Sequence, residues 1–358
     1  MIDPHVHLRD WGQSYKETIA HGLSVAERIG LSGVFDMPNT SPAINSRALL
    51  ERRLADAEKV NSPVFYGVYA GLTSDPAQIR EVVEAYRDFF PKENSRVGVV
   101  GLKMFAGHSV GNLGIIEPQD QKIVYETLVD AGYDGVLPVH CEKESLLLPC
   151  LWDPANPRSH SFARSHLSEV GSVSDQIKLA EGCGFKGTLH IAHVSAPYSI
   201  KLIEAARARG KIKITCGVTP HHCLLDYESI PNSEQGLLFK VNPPLRNSSA
   251  SFRMFAFLRE GKIDWIETDH APHTLAEKTG KALDAKGQPQ YMSGFPGLPF
   301  YPHFLEVMRR CYFPSEMIKD LTHNNICKTF GINLPERDVA PVMDLHKEYE
   351  VDVYGGPK

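Results

Sequence analysis

Short runs rich in β-branched and apolar residues alternate along the chain with amphipathic stretches of helical period. This alternation restricts the fold more than any single motif does. Strands are expected over 2–8, 33–37, 64–70, 99–105, 136–140, 188–194, 213–218 and 264–268. Helices are predicted between them over 14–29, from Ser46, from Asp75-Pro76 to about Phe90, and over 118–131, 174–182, 197–209 and 249–260. Ser46 and Asp75 are N-cap types, and Pro76 suits a first helical position. Gly210 and Gly261 stand where a left-handed residue closes a helix. Eight strand–helix units make a parallel sheet that closes on itself, an α/β fold of the TIM (β/α)8 barrel type. Residues 1–330 are expected to form this catalytic domain, its last two helices over 301–312 and 314–330 following a Gly/Pro-rich loop at 293–299. Residues 331–358 read as an irregular tail with one alternating run at 349–354.

Composition narrows the function by exclusion. A net charge of −5 offers no field for nucleic acid or an anionic membrane. No apolar run is long enough to span a bilayer, and the N-terminus carries no signal-peptide pattern. The seven cysteines are odd in number, scattered and without a Cys-x-x-Cys pair, which argues against disulfides or thiolate zinc and fits a reducing, cytoplasmic setting. The 16 histidines are the unusual count.

In a barrel of this kind chemistry gathers at the C-terminal ends of the strands, so the residues there test the reading. His5 and His7 are two apart, on one face of an extended strand, with Arg9 two further on. The fourth strand holds Lys103, the fifth ends in His140-Cys-Glu142, the sixth in His193-Val-Ser195, and the eighth in Asp269-His-Ala-Pro-His273. Four histidines, an aspartate and a lysine on one rim point to a metal site of the His/Asp type, suited to zinc or a similar divalent ion. His270 is expected to support the site rather than bind metal, His221 and His222 after strand seven to have supporting or structural roles, and His190 to sit mid-strand next to the core. Most of His21, His108, His160, His166, His303, His323 and His346 are expected at the surface.

The motifs Asp3-Pro-His-Val-His-Leu-Arg-Asp10, Met37-Pro-Asn-Thr40, Gly101-Leu-Lys-Met-Phe105, Asn242-Pro-Pro-Leu-Arg246 and Thr268-Asp-His-Ala-Pro-His273 resemble those of the amidohydrolase superfamily. Within it they are most similar to the dihydroorotase family. The resemblance spans nearly the whole chain. It implies two Zn²⁺ per chain, one held by His5, His7 and Asp269 and the other by His140 and His193. Lys103, carrying a CO₂-derived carbamate, would bridge the pair. It also implies Asp269 as the catalytic proton shuttle, Arg9, Asn39 and His273 on the substrate carboxylate, and Asn242, Ser293 and Gly294 on the ring. The implied reaction is the reversible cyclisation of N-carbamoyl-L-aspartate to L-dihydroorotate in pyrimidine biosynthesis. The glycine-containing segment 106–116, with Ser109 and Asn112, would act as a lid.

Relatives of this type often carry a small β-sandwich built from both termini. Here strand one begins just after Met1, so that sandwich is expected to be largely missing, with 331–358 a remnant and the bottom of the barrel exposed. Met1 could equally be internal to a longer reading frame. Allantoinase, hydantoinase and dihydropyrimidinase share the metal framework, but their substrates lack the ring carboxylate that Arg9 would grip. A non-catalytic partner of aspartate transcarbamoylase would be expected to lose ligands, and none is missing here. The resemblance leaves open a homodimer or an association with that enzyme.

Overall fold

The computed structural model describes residues 1–108, 112–337 and 345–354. Eight strands, β1 (Ile2–Val6), β2 (Gly33–Asp36), β3 (Phe65–Gly71), β4 (Val97–Ala106), β5 (Val136–Cys141), β6 (Thr188–Ile191), β7 (Lys213–Val218) and β8 (Trp265–Ile266), pair in parallel in chain order. The circle closes where His7 N donates to His270 O at 2.7 Å and Val6 bridges His270. Nearly every strand residue is buried, as expected of a parallel sheet covered by helices outside and side chains within.

The expected strands are recovered, but several stop sooner at their C-terminal ends. Leu8, Val194 and Thr268 lie past the observed strand ends at Val6, Ile191 and Ile266. Beyond the ends of β1, β6 and β8, Arg9, His193 and Asp269 take left-handed backbone angles (φ 47°, 39° and 51°), uncommon for residues with a Cβ. Such strain concentrates at functional sites.

The caps at Ser46 and Asp75 hold, each side chain accepting a helix N–H. The first helix begins at Ile19 rather than Ser14, because the side chains of Asp10 and Thr18 take the backbone N–H groups of Ile19 and His21. The helix expected over 174–182 runs from His166 to Cys183. Its serine-rich first half lacks apolar period, yet buried Glu169 anchors it, accepting from the backbone N–H groups of Ser195 and Ala196 and from the Ser199 hydroxyl. The final helix is broken by a wide turn over Asp320–Asn324, after which Asn325–Phe330 continues. Ile326, Phe330 and Leu334 pack with Phe35, Tyr69 and Trp265 inside the lower barrel. The Phe330 ring sits 4.9 Å from that of Phe35. The bottom is therefore covered by the chain's own C-terminal helix, and the exposed floor expected from sequence is not found. In the tail, 349–354 forms no strand. Val351 and Val353 bury against Phe295, and Tyr354 stacks on Phe300.

Candidate active site

β1 and the chain just past it deliver His5 and His7, and the turn after β8 delivers Asp269. The three ligand atoms lie within 4.8 Å of one another. His7 Nδ1 is 2.7 Å from Asn39 Oδ1, so it donates there and leaves the Nε2 lone pair facing Asp269 Oδ1 at 3.0 Å. Two acceptors aimed at each other in a buried site are what a cation between them would satisfy. His5 Nε2 approaches the same carboxylate oxygen at 3.4 Å. β5 and β6 bring a second pair: His140 Nδ1 lies 3.1 Å from His193 Nε2, while His140 Nε2 is held 3.0 Å from Glu142 Oε2. The His5 and His193 rings are 5.0 Å apart, which makes the two groups one cluster.

Lys103 of β4 ends beneath this cluster. Its side chain is fully buried, and its Nζ has no hydrogen-bond partner among the described residues. Burial lowers its pKa to about 8, against the pull of Glu267 and Asp269. Burial, aided by Lys103, takes His5 down to about 4, and burial holds His7 and His193 well below their ordinary values. The imidazoles of His5, His7 and His193 are thus neutral lone-pair donors at pH 7. Burial raises Asp269, opposed by His5 and Lys103. Imidazole lone pairs beside the Asp269 carboxylate, with a buried Lys103 Nζ at their base that has no hydrogen-bond partner among the described residues, fit divalent metal.

Above the cluster opens a cleft of about 320 Å³. Arg9, Asn39 and His273 line one side, and Asn242, Ser293 and Gly294 line another. Arg9 Nη2 and Ser293 O each lie 3.1 Å from His273 Nε2, and Arg9 Nε donates to Pro272 O. Asn242 Oδ1 lies 3.0 Å from His160 Nε2. The sequence-derived residues therefore meet in one place, save two. Asn112 is exposed and does not line the cleft, and Ser109 lies outside the described residues. His270, His190 and His222 occupy supporting positions, bonded to Glu17, Glu267 and Pro243 O respectively. His160 and His323 are buried rather than at the surface.

Two residues went unread in the sequence. Glu267 lies fully buried under the histidines, accepting from the backbone N–H of His193 and from Trp265 Nε1, with His5 Nδ1 at 3.7 Å. Its signal is the alternation Trp265, Glu267, Asp269 along one face. Lys240 lines the cleft from a loop, with no periodic pattern to reveal it.

The comparisons with known proteins agree with this geometry. No family model matches the chain. The chain is 32% identical over 368 residues to a dihydroorotase of Anoxybacillus flavithermus, covering 98% of this chain and 78% of that one. It is 32% identical to a dihydroorotase of Halobacterium salinarum, covering 93% and 71%. Among solved structures, an L-hydantoinase (dihydropyrimidinase) from Arthrobacter aurescens superposes with a TM-score of 0.78 at 20% identity, over 92% of this chain and 70% of that one. A D-hydantoinase (dihydropyrimidinase) from a Thermus species gives 0.75 at 21%, over 94% and 73%. At that identity these two speak for the barrel alone. The 32% identity to the first pair over more than nine-tenths of this chain, joined to the His/Asp/Lys cluster and its flanking arginine, places this chain in the dihydroorotase family.

Proposed function

We propose that the protein is a dihydroorotase, opening and closing the cyclic amide of L-dihydroorotate, with N-carbamoyl-L-aspartate as the open form and ring closure as the biosynthetic direction in pyrimidine formation. The observation that carries this reading is Arg9. It is a buried guanidinium at the edge of the cleft, beside Asn39 and His273, with no carboxylate in ion-pair range among the described residues. A ring bearing a carboxylate supplies the missing anion. Hydantoin or dihydrouracil would leave Arg9 uncompensated.

His5, His7 and Asp269 would hold one zinc ion, and His140 and His193 the other. Lys103 would lie between them once its amine has added CO₂, forming an N–C bond and releasing a proton. Metal bound there supplies Lewis acidity toward the ring carbonyl and acidifies a water at neutral pH. Arg9, Asn39 and His273 fix the carboxylate and so aim the ring carbonyl at the cluster. Asn242 and the Ser293–Gly294 backbone face the ring amide. Asp269, with its pKa raised by burial, takes a proton from water as the water oxygen bonds to the ring carbonyl carbon, and delivers that proton to the amide nitrogen as the C–N bond breaks, leaving a carboxylate and a free ureido nitrogen. Closure runs the same proton backwards. The seven free cysteines suit a reducing cytoplasm. Among the described residues no helix is long and apolar enough to cross a membrane.

The deciding experiment is hydrolysis of dihydroorotate measured beside dihydrouracil, hydantoin and allantoin. Preference for dihydroorotate is expected, and turnover confined to the uncharged rings would overturn the reading.

A further inference from the structure

Arg9 opens a strained turn. Arg9, Asp10 and Trp11 follow one another with φ of 47°, 61° and 49°, and among the described residues no other non-glycine residues take positive φ consecutively. Such a conformation persists only where its surroundings over-determine it. Here they do so from two sides. On the barrel side, Leu8 N donates to Asp36 Oδ1 at 2.8 Å, Asp10 N to Glu17 O at 3.0 Å and Gly12 N to Ser41 O at 3.1 Å. The Asp10 carboxylate accepts from Trp11 N at 2.7 Å and from Ile19 N at 3.0 Å. On the other side stands the helix Arg47–Val60, and Trp11 makes the connection. Its indole N–H donates to Asp56 Oδ2 at 3.0 Å, and the Arg52 and Arg53 guanidinium carbons lie 4.5 Å and 5.1 Å from its ring centre.

The turn determines where the Arg9 side chain is presented. Arg9 reaches to the loop after β8, where Nε donates to Pro272 O at 3.3 Å and Nη2 lies 3.1 Å from His273 Nε2. With no carboxylate in ion-pair range among the described residues, the guanidinium takes its position from the backbone that carries it. Trp11 is half-buried, packs against the core and does not line the cleft, so it can reach a bound ring only through Arg9. We propose that Trp11 is a positioning residue: by pinning the far end of the strained turn to the helix Arg47–Val60, it holds the Arg9 guanidinium where a substrate carboxylate meets it. This inference rests on the dihydroorotase reading, in which Arg9 grips the ring carboxylate. Without the indole the turn is free to relax toward ordinary φ. Arg9 then loses its aim, while the His/Asp/Lys cluster keeps its own supports.

The test is a double-mutant cycle in steady-state hydrolysis of dihydroorotate, using wild type, Trp11→Ala, Arg9→Met and the double variant. Trp11→Ala should raise KM about tenfold with kcat within about threefold of wild type. Trp11→Phe, which keeps a ring beside Arg52 but lacks the indole N–H, should raise KM by an intermediate factor. In the Arg9→Met background Trp11→Ala should change kcat/KM by less than about twofold, because no guanidinium is left to aim. Should the alanine variant fail to fold, Trp11→Phe made in both backgrounds gives the same cycle. A loss of equal size in both backgrounds, or a KM unchanged in both Trp11 variants, overturns the role of Trp11 and leaves the activity standing. A wild type that does not turn over dihydroorotate overturns the dihydroorotase reading and this inference with it.

Discussion

Two buried arginines make opposite predictions, and comparing them separates structure from function. Arg53 is fully buried, with Nη2 2.6 Å from Asp36 Oδ2 and Nε donating to Tyr66 OH, which itself donates to Asp36. Arg53→Met would strand the Asp36 carboxylate in the core, a loss of about 3–5 kcal/mol. Arg9 is also buried, but its side-chain hydrogen bonds among the described residues go to a carbonyl and to His273. Burial draws its pKa from 12.5 to about 10. At about 1.4 kcal/mol per pH unit, its charge costs the free protein roughly 3 kcal/mol. Because the folded pKa is the lower one, that cost is fully present at neutral pH and lifts only as pH rises from about 10 toward 12.5. Arg9→Met should therefore leave stability unchanged or raise it by up to about 3 kcal/mol. It should also remove a charge-assisted substrate contact of about 2–5 kcal/mol, roughly thirty- to several-thousand-fold in kcat/KM for dihydroorotate. Urea unfolding at pH 7 and steady-state kinetics on both variants decide the matter. If Arg9→Met unfolds as easily as Arg53→Met, or its KM for dihydroorotate is unchanged, the assignment of Arg9 to substrate is wrong.

Lys103→Ala should abolish most activity, with partial recovery in the presence of short carboxylic acids that replace the carbamate oxygens. An alanine variant as active as wild type would eliminate the carbamate. Chelation should remove activity and zinc restore it, with elemental analysis finding about two divalent ions per chain; active protein free of metal would contradict the site. Burial alone would raise Glu17, but hydrogen bonds from His21 and His270 bring it down to about 2. Its contribution to stability is therefore complete above pH 4.5 and should fade as pH drops toward 2, and a Glu17→Gln variant whose acid unfolding matches wild type would refute this. Phe330→Ala should cost about 3–5 kcal/mol by opening a cavity in the barrel floor, and a loss under about 1 kcal/mol would show the floor to be loosely packed.

What the sequence disclosed and what it withheld divide along a physical line. The barrel and the meeting of its rim residues were legible because strand periodicity is local: His5 and His7 share a face by virtue of spacing alone, and their approach to Asp269 follows once eight strands close. The same alternation carries Glu267 two residues before Asp269, yet a lone glutamate near a strand end has no partner type beside it in the sequence. Its meaning comes from His190 and the His193 backbone, some 75 residues away. Lys240 has still less local signal. Its place in the cleft depends on Lys278 gripping two carbonyls from separate loops, a contact that no periodicity encodes. The helix Asn325–Phe330 reads as an ordinary terminal helix until the wide turn before it aims Phe330 into the barrel. Residues that repeat along a strand are readable one strand at a time, whereas those that set charge and depth at the site acquire their roles only from distant neighbours. Substrate preference should accordingly depend more on Arg9 than on the histidines and Asp269, because these would supply chemistry shared with other cyclic amidases, whereas a buried guanidinium with no carboxylate partner among the described residues would favour a substrate that carries one.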